Sequence, residues 1–97
     1  MAILVKVFMK RKYLKSILRN EVEKYLRIEY STLQDLLFPL HYFICVDNTN
    51  YQIQVVLLDK TSKYIQISVE IDDDTSLLNS IFPVNETIVI HKNNRPA

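Results

Sequence analysis

The chain has 97 residues, 48% of them hydrophobic and 24% charged, with a net charge of +1 and one cysteine. That is the composition of one ordinary globular domain, 1–97, burying about 60–65% of its unfolded surface. It excludes a disordered polyelectrolyte and a disulfide scaffold, and it argues against a strongly polyanion-binding protein.

There is also no glycine anywhere. This excludes the P-loop, the dinucleotide fingerprint, the kinase loop and the nucleophile elbow, which need backbone conformations that glycine supplies. Turns fall instead to Asn, Asp and Pro.

Charge is unevenly spread. Residues 1–29 carry eight of the twelve Lys and Arg and three of the eleven acids, a net of +5, whereas residues 30–97 carry a net of −4. Halves of opposite sign can satisfy each other within a monomer or across a dimer. The longest uncharged apolar stretch, Leu36 to Val46, contains Pro39 and His41. It is well short of the ~20 residues a membrane span needs. The opening "MAILVKVFMKRK" places its charges after the apolar run, unlike a signal peptide. With one cysteine, the expectation is an intracellular, cytoplasmic protein with no membrane partner. The bias toward Ile, Lys, Asn and Tyr is that of A+T-rich coding sequence, such as that of viruses or mobile elements.

In chain order, "ILVKVF" (3–8) is β-branched and reads as a strand. Residues 10–29 read as a helix, with Leu14, Ile17, Leu18, Val22, Tyr25, Leu26 and Ile28 on one side. Ser31 with Gln34 matches a capping box opening a short helix through about Phe38, which Pro39 ends. The period then changes to two. "HYFICV" (41–46), "YQIQVVLL" (51–58) and "KYIQISVEI" (63–71) read as strands.

A turn at 59–63 would pair Leu57 with Ile65, Val55 with Ile67 and Ile53 with Val69, with Gln54 opposite Ser68 and Gln52 opposite Glu70. "DDDTSLLNSIF" (72–82) reads as a connection containing a short helix, "NETIVIH" (85–91) as a last strand, and 93–97 as a frayed tail. The expected fold is α+β in the order β-α-α-β-β-β-(α)-β. A mainly antiparallel sheet of four or five strands carries one long and one or two short helices on one face.

Several residues invite a chemical reading. Lys12, Lys15, Arg19, Lys24 and Arg27 on the long helix suit phosphate contacts, although Glu21 and Glu23 interrupt the positive surface and no aromatic side chains alternate with them. Glu21 falls inside the apolar stripe, as an acid/base group, a pairing site across a dimer, or a carboxylate hydrogen-bonded to a tyrosine or Lys24. Asp72, Asp73 and Asp74 are consecutive, so their side chains diverge and make a poor metal loop. His41 and Cys45 share a strand face ~13 Å apart and cannot act together as base and nucleophile.

Tyr42, Tyr51 and Tyr64 sit near strand starts and suit an interaction surface. The expectation is therefore a small non-catalytic protein-interaction module, homodimeric, with a protein partner or itself and no cofactor or metal. The alternative is nucleic-acid binding through helix 10–27.

Overall fold

A computed structural model describes residues 2–72 and 84–92, with side chains from Arg11 onward. Its elements are α1 (Ala2–Arg27), α2 (Tyr30–Asp35), β1 (Leu40–Val46), β2 (Thr49–Lys60), β3 (Tyr64–Asp72) and β4 (Val84–His91). The four strands form one antiparallel sheet in the order β1-β2-β3-β4, with α1 packed against it. This is the expected α+β class. The short helix expected within 72–82 and the tail 93–97 lie outside the described residues, apart from Asp72, which ends β3.

The expected first strand is not a strand. Residues 3–8 are the first turns of α1, which runs unbroken for 26 residues, or ~39 Å. The physical reason lies in the residues after the apolar run. Between Phe8 and Tyr13 the chain reads "MKRK" and holds no Asn, Asp, Pro or Ser to reverse its direction. A β-branched run with no turn behind it simply joins the helix.

From Leu14 onward α1 buries Leu14, Ile17, Leu18, Glu21, Val22 and Tyr25, a stripe spaced three and four residues apart. Leu26, expected in that stripe, lies outside it and is 37% exposed, while Ile28 is half-buried past the helix end. The helix lies over β3 and β4 rather than centrally over the 51–71 hairpin. β4 pairs with the far side of β3 and extends the apolar face through Val84, Ile88 and Ile90, which draws the helix that way. An ion pair between Arg19 and Glu86 fixes it there.

The capping box is not formed. Glu29, with no side-chain cap, precedes α2, and the Gln34 amide donates to the Thr61 carbonyl at 3.2 Å instead. The helix ends at Asp35, earlier than expected, with Leu36 already extended. Fully buried Leu33 and half-buried Leu36 and Phe38 join the core from this segment.

β1 and β2 meet in a two-residue turn. Val46 opposes Thr49, and Asp47 and Asn48 take φ of 51° and 64°. A tight hairpin turn of this kind needs two positive φ values, and in a chain without glycine Asp and Asn are the residues that tolerate them best.

The β2–β3 register differs from the expected one by two residues. Val55 opposes Val69, Ile53 opposes Ile71, Gln54 opposes Glu70 and Leu57 opposes Ile67. A two-residue slip keeps every side chain on its own face, so alternation alone cannot discriminate between the two registers. A bulge between Leu57 and Asp59 sets the observed one, leaving a loop of only 61–63. The Thr61 hydroxyl closes that loop by accepting from the amides of Lys63 and Tyr64, both at 3.1 Å.

The inner face carries Tyr51, Ile53, Val55, Ile65, Ile67, Val69, Ile71, Val84 and Ile90, all buried against the helices.

Candidate functional site

Among the described residues β1 and β4 are the outer strands of the sheet, and they are built differently. β4 has α1 packed over it and carries the ion-paired Glu86. β1, "LHYFICV", contains no Asp, Glu, Lys or Arg. Long, flat, uncharged edges invite pairing with another chain.

The backbone geometry tells which groups are available. In a hairpin with a two-residue turn the flanking pair, Val46 and Thr49, exchanges both ladder hydrogen bonds, and the hydrogen-bonded pairs then alternate. Val46, Ile44, Tyr42 and Leu40 therefore turn their amides and carbonyls to β2. Those of Cys45, Phe43 and His41 point away from the sheet. The side chains of the same three residues lie on the outer face and are exposed, with Phe43 at 60%. The His41 and Phe43 rings are 5.9 Å apart.

The inner side of β1 is anchored through Tyr42. Its hydroxyl donates to Glu21 Oε1 at 2.7 Å, and Lys24 Nζ reaches Glu21 Oε2 at 3.0 Å. Tyr42 has a single hydroxyl proton, so the 2.7 Å contact with Tyr25 is donated by Tyr25. Glu21 is 4% exposed. A carboxylate so placed must be hydrogen-bonded, and here both oxygens are.

Burial pushes the Tyr42 phenol well above its ordinary value, and the hydrogen bond it donates to Glu21 pushes in the same direction. Burial also raises Tyr25. The network links Lys24, Glu21, Tyr42 and Tyr25, and its two phenols are held in their neutral form.

The other tyrosines expected on one interaction surface are dispersed. Tyr51 is buried on the inner face, its ring 6.5 Å from that of Tyr13, whose hydroxyl donates to Asp47. That hydrogen bond pushes Tyr13 up to about 12. Tyr64 lies on the outer face at the start of β3, donating to Asp59 and facing His91 at 6.0 Å. Tyr42 and Glu21 are thus brought together, and Tyr51 and Tyr64 are not.

The helix cations are also divided. Arg19 pairs with Glu23 at 3.0 Å and with Glu86, and Lys24 pairs with Glu21. All five cations, Lys12, Lys15, Arg19, Lys24 and Arg27, are exposed.

His41 and Cys45 are both exposed on β1 at positions four apart, and His91 is at the opposite edge of the sheet. Among the described residues no group of three His, Cys, Asp or Glu converges to hold a metal. In the same residues no helix is long and apolar enough to cross a membrane.

Surface depressions lie elsewhere on the described residues. One of ≈ 480 Å³ is lined by Tyr30, Ser31, Gln34, Asp35, Ser62 and Lys92. The Tyr30 hydroxyl is buried without a partner among the described residues. Another, of ≈ 370 Å³, is apolar and lies between 36–39 and β2.

Sequence reasoning did not single out Phe43, which is exposed on the outer face of an edge strand. The signal was present as an uncharged strand bounded by Pro39 and Asp47. Comparison with protein-family models, with curated proteins and with solved structures gives no match.

Proposed function

We propose that the chain is a small, non-catalytic interaction module that binds protein through the outer edge of β1. The observation that carries this reading is the set of backbone groups at His41, Phe43 and Cys45, turned away from the sheet beneath an exposed Phe43. An edge strand with free ladder groups and an apolar side chain at its centre is what strand addition uses, with main-chain bonds giving affinity and side chains giving selectivity.

The non-catalytic part rests on how the titratable groups are spent. Glu21 is held by Tyr42 and Lys24, Arg19 by Glu23 and Glu86, Asp59 by Tyr64 and Asp47 by Tyr13. The same pairings favour protein over nucleic acid as partner. They neutralise Arg19 and Lys24, two of the five helix cations a phosphate backbone would need. An intracellular location belongs to this proposal and is supported by Cys45, an exposed free thiol suited to a reducing compartment.

The test is capture by the tethered chain. The wild-type chain should retain a defined protein, either its own copy or another, and Phe43→Pro should lose it while keeping its circular dichroism. Retention of the same protein by both baits, or salt-sensitive retention of nucleic acid that Lys15→Glu with Arg27→Glu removes, sinks the reading.

A further inference from the structure

We infer that the partner of the β1 edge is a second copy of this chain, paired antiparallel β1 to β1 about a two-fold axis through Phe43. The inference rests on the proposed edge binding and names its occupant. Isologous pairing requires a strand that is complementary to its own reverse.

β1 meets this requirement in three ways. First, it spans seven residues, Leu40–Val46, so its centre is a residue, Phe43. Phe43 is also one of the residues whose backbone groups face outward. With the axis there, Phe43 opposes its own copy and His41 opposes Cys45 of the other copy, twice. All three outward-facing residues of each strand are then in hydrogen-bonded pairs, and displacing the axis by one residue either way leaves one of them unpaired. Second, the strand holds no formal charge other than what His41 can acquire, so its reversal brings no like charges together. Third, both ends are closed. Pro39 has no amide to donate, and the chain turns away at Asp47 and Asn48.

β4 fails the first two tests. It has eight residues and carries Glu86. The pairing places the two exposed Phe43 rings side by side on one face of an eight-stranded sheet. The half-buried Tyr42 and Ile44 meet on the other face. Seven residues per copy lie at the small end of specific interfaces, so the dimer forms with rising concentration and is not obligate.

Light scattering combined with amide hydrogen exchange tests this on the whole chain. The mass should rise with concentration from 11.5 kDa toward twice that value. Over the same range the amides of His41, Phe43 and Cys45 should become protected, while those of Tyr42 and Ile44 are protected throughout. Phe43→Pro removes an outward-facing amide together with the exposed ring, and should weaken the dimer at least ~10-fold. Phe43→Lys, at a position already exposed, should do the same by opposing two charges across the axis, and covers the case in which proline disturbs the strand.

A mass of 11.5 kDa up to ~1 mM overturns the inference. So does a dimer whose three outward amides exchange at the monomer rate, or one that both variants leave intact. If the chain stays monomeric yet captures a different protein that Phe43→Pro loses, self-pairing fails and the edge reading stands.

Discussion

The two edges of one sheet solve the same problem in different ways. β4 places Glu86 on its inner face, where Arg19 reaches it, and lies under the long helix. β1 has no charge, is anchored by a single tyrosine through the Glu21 network, and keeps its outward groups exposed. A strand edge needs charge or cover to stay solitary. The lesson is that α1, sitting over β3 and β4, protects one edge and by that placement leaves the other open.

The comparison can be broken hardest by removing the roof. Leu18 is 2% exposed in the helix that covers β4. Leu18→Ala should cost about 2–5 kcal/mol in chemical denaturation, and it should raise exchange in β4 before β1.

The anchor of β1 comes next. Tyr42→Phe leaves a buried oxygen of Glu21 without its donor and should cost about 1–3 kcal/mol. It should also loosen β1 selectively, read as faster amide exchange at Tyr42 and Ile44.

The same anchor predicts a pH dependence. The phenols of Tyr42 and Tyr25 titrate above their unfolded value because burial disfavours the anion. The folded state therefore holds those protons more tightly. Stability from this source is complete below about pH 10 and falls as pH rises beyond it. Denaturation midpoints measured on either side of pH 10 should show the loss, and Tyr42→Phe should flatten it.

The smallest effect belongs to the β4 edge. Glu86→Gln removes a half-exposed ion pair and should change stability by less than ~1 kcal/mol. It should leave the β1-dependent mass change untouched, which would confine self-association to the uncharged edge.

Much of this architecture was legible in the residues. The amphipathic stripe from Leu14 to Tyr25 and the three strands after Pro39 follow from period, and the observed Asp47-Asn48 turn fits the expected reliance on Asn and Asp in a chain without glycine. The limits are physical too. Residues 3–8 have strand composition but no turn before α1, and continuity outweighed propensity. Alternation in β2 and β3 fixes faces but is blind to a slip of two, so the bulge beside Leu58 had to decide the register. Gln34 was drawn from a capping role to a loop carbonyl brought close only by the fold. The site was partly legible. Glu21 stood out on the helical wheel and its tyrosine partner was among the expected ones. Singling out Phe43 required knowing which strand lies at the edge and which way its amides point.

The Asp47-Asn48 turn has a practical consequence. Both residues carry a Cβ into backbone territory where glycine alone is unstrained, which costs each about 1 kcal/mol. Asn48→Gly would relieve part of that strain without altering any side chain on β1. The chain thus contains an adjustment screw for hairpin rigidity that is separate from the outer side chains of β1, so the stiffness of the hairpin can be tuned without altering the chemistry of its edge.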